Sequence, residues 1–337
     1  MPYLQVNRNK KSICLNLKDP EAKEIFYRLV KDADVVVEQY RPGVAQRLGV
    51  DYDTLKKLNE KIVYCSISGF GQTGPYRLLA GHDINYISYA GILGLTARKG
   101  ECPVLPGVQI GDVSGGALYA VIGILMALMG VKQTGKGQYI DTAMFDGAVS
   151  MMHWNASSCL AGGEAMQPQG NILIGQLACY NVYETKDARY ISLGAVEAHL
   201  WGNFCEKIGH PEFTDSQRKV EKQHDMIAFL RTLFRSKTLE EWKQFLADTD
   251  CCWSPVATVD EVINDPQVMA RGMITEMTDP HGEYGTVKFI ASPLKLSETP
   301  ARNELFPPRK GEHTREVLRS CGYSEEEINK FYAGGVV

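Results

Sequence analysis

The segment SICLNLKDPEAKEIFYRLVKDADVVVEQYRPG (residues 12–43) decides the fold class of this 337-residue chain. Its two ends, SICLNLK at 12–18 and DVVVEQY at 34–40, predict strands, the second because it is short and β-branched. Between them, Asp19 followed by Pro20 predicts the start of a helix. A third strand, IVYCSIS, is predicted at 62–68. Strands that alternate with helices are typical of a parallel sheet covered on both faces, so the sequence predicts an α/β fold.

The remainder of the chain has a different pattern. Residues 161–177 show no hydrophobic period and predict a linker. Beyond it, CYNVYET and YISLGAV flank a short turn at Lys186 and Asp187, which predicts a β-hairpin. Thr238 and Glu241 form a capping box that opens another helix. The length fits about two domains, and we place a smaller α+β domain at 178–290.

Composition narrows the class of protein. Apolar residues make up 44% and charged residues 23%, the balance of a folded globular chain and not of a disordered one. The net charge of −4 argues against a nucleic-acid partner, because such binders are usually basic. The nine cysteines contain no Cys-x-x-Cys pair, so we expect no metal site. No secretory signal opens the chain, which predicts reduced thiols and a cytoplasmic location.

One uncharged stretch, Val113 to Val131, raises the question of a membrane span. Its strongly apolar part, ALYAVIGILMALMGV, has about 15 residues and would extend roughly 22 Å as a helix, short of the ~30 Å hydrocarbon core. We therefore predict a helix buried inside the protein, and no membrane partner.

The densest polar cluster is GHDINY at 81–86, which is flanked by glycine in an apolar neighbourhood. Its histidine, His82, is either a hydrogen-bonded loop residue or a general base, since imidazole titrates near neutral pH. Asp112 precedes the uncharged helix and is either its N-cap or a carboxyl group with a shifted pKa. Burial there would raise that pKa, whereas the helix N-terminus would lower it.

Two further carboxylates and one glycine loop have a structural and a functional interpretation. Glu197 follows a predicted strand and is either solvated or part of a site. Asp146 begins a helix and is either a cap or a nucleophile that forms a covalent acyl intermediate. The loop from Gly69 to Gly74 matches the dinucleotide fingerprint, but no long helix follows it. We interpret it as a tight loop that lets some other ligand approach the backbone.

Several motifs together resemble the family III CoA-transferase superfamily (CaiB/BaiF type), and within it the alpha-methylacyl-CoA racemase branch. They are SGFGQTGP (68–75), GHDINY (81–86), GDVSGG (111–116), TGKGQ (134–138) and GEHT (311–314). The resemblance implies a Rossmann-like large domain over 1–160, the linker and small domain described above, and a C-terminal segment, 291–337, that returns to the large domain. It also implies an interlocked homodimer, with each active site between the large domain of one chain and the small domain of the other.

The same resemblance implies the site residues. His82 and Asp112 match the two acid/base groups of the racemase branch, and Glu197 matches a small-domain glutamate that completes the site. Coenzyme A enters as part of the acyl-CoA substrate, and no permanently bound cofactor is implied. The positions implied to contact it are Leu15, Asn16, Leu17, Lys18, Arg41, Gly81, His82, Asp83, Ile84, Asn85 and Tyr86.

Three functions remain open under this resemblance. The first is a racemase or epimerase that inverts C2 of a 2-methylacyl-CoA by proton transfer between two groups, through an enolate. The second is a CoA-transferase in which Asp146 attacks the acyl-CoA and carries the acyl group. The third is an inactive CoA-binding paralogue. We favour the racemase because His82 and Glu197 would be idle ionisable groups in a transferase.

The sequence departs from the family pattern at its start. Family members carry a first strand, helix and strand before the Asn-Arg-x-Lys-x-Ser stretch, which begins here at Asn7. If that segment is absent, we expect a bare sheet edge and weaker binding of CoA.

Overall fold

The computed structural model describes residues 2–337, and their first half alternates short helices with three strands. The helices are α1 (Pro2–Val6), α2 (Pro20–Lys31), α3 (Val44–Leu48), α4 (Tyr52–Leu55), α5 (Asp83–Tyr89), α6 (Ile92–Leu95), α7 (Tyr119–Thr134), α8 (Met144–Ser150) and α9 (His153–Leu160). The strands are β1 (Val35–Glu38), β2 (Val63–Ser68) and β3 (Tyr139–Ala143). A π-helical segment, Ile110–Leu118, runs directly into α7.

The second half combines five strands with seven α-helices and one 3₁₀ turn, Pro211–Ser216. The strands are β4 (Tyr180–Glu184), β5 (Tyr190–Gly194), β6 (Trp253–Pro255), β7 (Ile274–Thr278) and β8 (Thr286–Ile290). The helices are α10 (Ala198–Lys207), α11 (Val220–Phe234), α12 (Leu239–Leu246), α13 (Val259–Ile263), α14 (Pro266–Ala270), α15 (Thr314–Ser320) and α16 (Glu325–Ala333).

The predicted parallel sheet is confirmed. Strands β1 and β2 run parallel, with Val35 opposite Val63, and β3 lies on the other side of β2. Helix α2 begins where predicted, because the Asp19 side chain accepts a hydrogen bond from the Glu21 N–H at 2.8 Å. Its Val30 packs in a buried cluster with α4 and β2. The chain is therefore an α/β protein whose sheet is covered by amphipathic helices.

The predicted strand at 12–18 is wrong, because residues 11–16 are irregular and the chain turns at 17–18. The backbone donors of this segment find partners at the far end of the chain. The Cys14 N–H donates to Thr314 Oγ1 at 3.2 Å, and the Asn16 N–H donates to the Val336 carbonyl at 2.9 Å. These hydrogen bonds satisfy the backbone without a neighbouring strand, so the local sequence alone was misleading.

The C-terminal helices α15 and α16 pack against α2. Ala22 and Ile25 share one buried cluster with Leu318, Ile328 and Phe331. Apolar side chains from both ends of the sequence are thereby removed from water together, which is the main favourable term in such packing.

The antiparallel part of the structure also agrees with the sequence. Strands β4 and β5 form the predicted hairpin, with Tyr180 opposite Gly194, and β6 extends the sheet beside β5. The predicted capping box is present, since the Glu241 N–H donates to Thr238 Oγ1 at 3.3 Å. Helices α10, α11 and α12 bury their aromatic residues in one core beneath this sheet: Trp201, Phe204, Phe234 and Trp242.

The chain divides into two compact units. One contains the residues up to Ser68, residues 119–142 and residues 258–337, and it holds the parallel sheet. The other contains residues 69–118 and 143–257, and it holds the antiparallel sheet together with the GHDINY and GDVSGG motifs. This division differs from the predicted boundaries at 160, 177 and 290, which stay a prediction. The segments that follow β2 and β3 pack with each other, and this places both in the second unit.

The helix predicted to be buried is largely exposed within this chain, so that prediction is wrong. Residues 110–134 form one helix that is long and apolar enough to cross a membrane, a property that core helices of soluble proteins share. Only a narrow stripe of small residues is buried: Gly111, Gly115, Gly116, Ala120 and Ala127. The large apolar side chains face outward: Val113, Leu118, Val121, Ile122, Leu125, Met126 and Met129.

Candidate active site

The loop that leaves β2 is held in place by aromatic packing and one backbone hydrogen bond. The Phe145 N–H, in α8, donates to the Gly69 carbonyl at 3.0 Å. The ring of Phe70 lies in contact with Tyr86, Tyr89 and Phe145, with ring centroids 5.2 to 5.7 Å apart. Helices α5 and α8 are therefore fixed to this loop.

Tyr86 is the centre of this arrangement, because three glycines approach its side chain. A Cβ atom at Gly69 would lie 2.6 Å from the Tyr86 ring, and one at Gly81 would lie 2.7 Å from it. A Cβ atom at Gly111 would lie 3.3 Å from Tyr86 Cβ. The Tyr86 hydroxyl also donates to the Gly81 carbonyl at 2.6 Å. Only glycine allows the three segments to close this tightly, a requirement that the sequence analysis did not identify.

His82 and Asp112 are brought together by their neighbour Asp83. The His82 N–H donates to Asn85 Oδ1 at 3.0 Å, which fixes the start of α5. At the next residue, Asp83 Oδ1 accepts a hydrogen bond from the Asp112 N–H at 3.0 Å, which joins the π-helical segment to α5. The sequence alone did not distinguish the role of Asp83 from that of any other polar residue of the motif.

The environment of Asp112 raises the pKa of its carboxyl group. Burial raises the pKa of its half-buried carboxyl group above the ordinary value, and the nearby charge of Asp83 raises it further. The neighbouring His82 acts in the opposite direction. Of the two opposed effects expected from the sequence, burial therefore dominates. A carboxyl group with a raised pKa holds its proton at higher pH, so it is better suited to donate one.

Asp146 lies on a second helix that crosses the first at very close range. It stands in the first turn of α8 and is exposed. A Cβ atom at Gly147 would lie only 2.1 Å from the Gly115 carbonyl oxygen. The helix with Asp112 and the helix with Asp146 thus share one glycine crossing, and both aspartates belong to the same compact unit.

Glu197 is the N-cap residue of α10, and its side chain is exposed. Within residues 2–337 it has no hydrogen bond or ion pair to His82 or Asp112. The two residues before Glu197 are held by the buried side chain of Gln217, which donates to the carbonyls of Ala195 and Val196 at 3.0 and 2.9 Å. Gln217 was not identified from the sequence, because the carbonyls that accept its hydrogen bonds lie more than 20 residues away along the chain.

Comparison with known proteins assigns the chain to a family. The profile of CoA-transferase family III matches residues 1–314. The chain belongs to CoA-transferase family III. It is therefore a member of an enzyme superfamily that acts on CoA thioesters.

Relatives of this family III protein catalyse two kinds of reaction. It is 33% identical over 336 residues to the alpha-methylacyl-CoA racemase of Homo sapiens. This alignment covers 99% of this chain and 86% of that protein. It is 30% identical over 342 residues to the succinyl-CoA:glutarate CoA-transferase of Homo sapiens, which covers 99% of this chain and 77% of that protein. A solved CAIB/BAIF family protein from Brucella suis matches with a TM-score of 0.81 and 30% identity, over 95% of this chain and 83% of that one.

The positions predicted to contact CoA in this family III protein fall in both compact units. Residues 81–86 belong to the unit with Asp112, whereas residues 15–18 and Arg41 belong to the other. Leu15 packs against the buried cluster of α2, α15 and α16. Lys18 and Arg41 are exposed, and Arg41 follows the carboxyl end of β1. These contacts with CoA stay a prediction.

Two other features of the second unit bear on ligands of the family III protein. In the glycine loop, Gly71 and Gly74 have left-handed backbone conformations, and no helix begins before α5. A cavity of about 550 Å³ lies beside β5, with a partly apolar lining that includes Leu173, Ile174 and Leu193. Residues 2–337 contain no group of three or more His, Cys, Asp or Glu side chains arranged to hold a metal ion.

Proposed function

We propose that this protein is an acyl-CoA racemase that inverts the C2 centre of a 2-methylacyl-CoA. The observation that carries the proposal is the hydrogen bond of 3.0 Å from the Asp112 N–H to Asp83 Oδ1, which sets Asp112 beside His82. Inversion requires one group to remove the C2 proton and another to return a proton to the opposite face. An imidazole and a carboxyl group with a raised pKa are suited to exchange these two roles.

The intermediate of this reaction is a thioester enolate, whose oxygen needs hydrogen-bond donors that are already in place. Backbone N–H groups at the start of α5 or of the π-helical segment are the donors we assign to it, because helix N-termini favour negative charge. We place CoA at the predicted contact positions. Glu197 then completes the site.

Asp146 supports a second candidate function, that of a CoA-transferase. Its exposed carboxylate would attack the thioester carbonyl and expel the CoA thiolate, leaving an acyl anhydride on the enzyme. The thiolate would then attack the aspartyl carbonyl, release the carboxylic acid and form an enzyme-bound CoA thioester. A second carboxylate would attack this thioester, expel the CoA thiolate and form a new anhydride with Asp146. The thiolate would then attack the acyl carbonyl of that anhydride, which gives the new acyl-CoA and frees the Asp146 carboxylate. The relatives named as CoA-transferases favour keeping this alternative.

The two functions are separated by incubating each enantiomer of a 2-methylacyl-CoA with the protein in D₂O. The racemase incorporates deuterium at C2 and inverts the centre without any added acid. We expect His82→Ala to slow this by about 10² or more, the usual contribution of a general acid or base. His224→Ala is the matched control, because that side chain is 92% exposed.

Other outcomes of this experiment favour the alternatives. Movement of CoA to an added carboxylic acid, lost in Asp146→Asn, would support the transferase. Unchanged deuterium incorporation in His82→Ala would contradict the racemase mechanism. If neither reaction occurs, the chain is a CoA-binding paralogue without activity.

We also propose that the protein is a homodimer, with the exposed helix 110–134 covered by a second copy of the chain. The large apolar side chains that face outward on this helix support burial against a partner.

A cytoplasmic location completes the proposal. All nine cysteines are free thiols, and five of them are exposed or half-buried. Such thiols persist where the compartment is reducing.

A further inference from the structure

A cavity of about 630 Å³ in the first compact unit has a positively charged lining. It is lined by residues of the stretch from 291 to 303, together with a few from the N-terminus and the β7 region. Three of its lining residues are cationic, namely Arg8, Lys295 and Arg302, and none is Asp or Glu. Within residues 2–337, none of these three side chains forms an ion pair. None of them belongs to the candidate catalytic group.

Arg8 lines this cavity, and its guanidinium group is held in a fixed orientation. Its Nη2 donates to the Ile290 carbonyl at 2.7 Å, and its guanidinium lies 4.9 Å from the centre of the Phe289 ring. These two contacts fix the orientation of the side chain. Its Nη1 is buried and has no hydrogen-bond acceptor within the protein. The guanidinium charge of Arg8 is therefore held at the cavity lining before any ligand binds.

The rim of the cavity is fixed by Asn9. This residue has a left-handed backbone conformation, with φ of 60°, which directs its side chain toward the loop at 302–305. Its Oδ1 accepts from the N–H groups of Glu304 and Leu305 at 2.8 and 3.0 Å. Its Nδ2 donates to the Arg302 carbonyl at 2.6 Å. Hydrogen bonds from Asn9 therefore hold the loop at 302–305, and with it Arg302, next to Arg8. The cationic lining is organised before any ligand binds.

We propose that this cavity binds a diphosphate-bearing anion. Arginine pairs with phosphate through two parallel hydrogen bonds, and lysine adds a point charge. The volume exceeds what one phosphate group requires, and exposed Leu294 and Leu296 add an apolar wall. The shared chemistry is the diphosphate group, whether it comes from inorganic pyrophosphate or from a nucleoside diphosphate.

The test is isothermal titration of the full chain with sodium pyrophosphate and, separately, with ADP at low ionic strength. We expect saturable binding of at least one ligand, weakened about tenfold or more in the double variant Lys295→Met, Arg302→Met. Tighter binding of ADP than of pyrophosphate would identify the organic source, and the reverse would identify the free anion. The matched control is Lys288→Met, which removes an exposed lysine of β8 outside the cavity.

Two results would overturn the proposal. One is the absence of saturable binding of both ligands to the wild type at low ionic strength. The other is unchanged affinity in the double variant, which would place the ligand elsewhere, including at the predicted CoA positions. Both substituted side chains are exposed, so thermal unfolding like that of the wild type verifies that the variants fold. The single variant Lys295→Met leaves Arg302 and its loop intact and provides a second measurement of the same loss.

Discussion

Gly147 and Gly115 meet where the helix carrying Asp146 crosses the helix carrying Asp112. A Cβ atom at Gly147 would lie 2.1 Å from the Gly115 carbonyl oxygen, and a Cβ atom at Gly115 would lie 2.5 Å from the Met144 carbonyl oxygen. Both clashes involve backbone, which cannot move aside as a flexible side chain would. The spacing between the two candidate catalytic aspartates is therefore set by the absence of two methyl groups.

Gly147→Ala should destabilise the protein by about 1–3 kcal/mol, because the new methyl group overpacks the helix crossing. Urea unfolding measures this change. Gly94→Ala in α6 is the control, since a Cβ atom there meets nothing within 4 Å. That variant should be neutral or slightly stabilising, because it restricts the unfolded chain. Equal destabilisation by both substitutions would contradict the importance of the crossing.

Asp112→Asn should increase the stability at neutral pH, although it removes a proposed catalytic group. The carboxyl group has a pKa above its ordinary value of 3.8 in the folded state, so the unfolded chain releases this proton more readily. The wild type consequently loses stability as the pH rises from about 3.8 through the folded pKa. Asparagine has no such loss. Unfolding in urea between pH 3 and pH 7 measures the difference between the two proteins.

This difference should vanish toward pH 3, where both states of the wild type hold the proton. Asp225→Asn provides the control, because it removes a carboxylate whose side chain is 85% exposed. A stability difference for Asp112→Asn that stays constant over the whole pH range would show that titration of this group is not its cause.

Gln217→Leu should destabilise the small-domain fold by about 1–3 kcal/mol, because it leaves the carbonyls of Ala195 and Val196 without their buried donor. If the segment positions Glu197, deuterium incorporation at C2 should also slow well below the unfolding temperature. Gln167→Leu is the control on an exposed glutamine. Loss of stability with an unchanged rate of incorporation would limit Gln217 to a structural role.

The paired substitutions Leu125→Glu and Met129→Glu should shift the protein from dimer to monomer. Both side chains are exposed on α7, at 57% and 65%, so the charges cost little in the isolated chain. Burying two carboxylates in an apolar contact is strongly unfavourable. Size-exclusion chromatography with light scattering gives the mass. Met269→Glu, at an exposed position of α14, is the control and should leave the mass unchanged.

The elements that were predictable from the sequence are those whose signals are local. The Asp19 cap of α2, the buried strand β2, the hairpin β4–β5 and the Thr238 capping box depend on residues a few positions apart. Hydrophobic periodicity and capping act over such distances, so these features were predictable. The residue types of His82 and Asp112 likewise indicated proton chemistry before any geometry was known.

The contacts between these elements depend on residues that are far apart in the sequence, so they became known from the structure alone. The segment 12–18 lost its predicted strand because the donor at Cys14 pairs with Thr314, 300 residues away. The approach of Gly115 to Gly147, and the hydrogen bond from Asp112 to Asp83, also join segments that no periodic pattern connects. The exposed face of helix 110–134 was mispredicted for the same reason. An apolar sequence indicates that its side chains are more stable away from water. Which part of the protein covers those side chains depends on tertiary or quaternary packing.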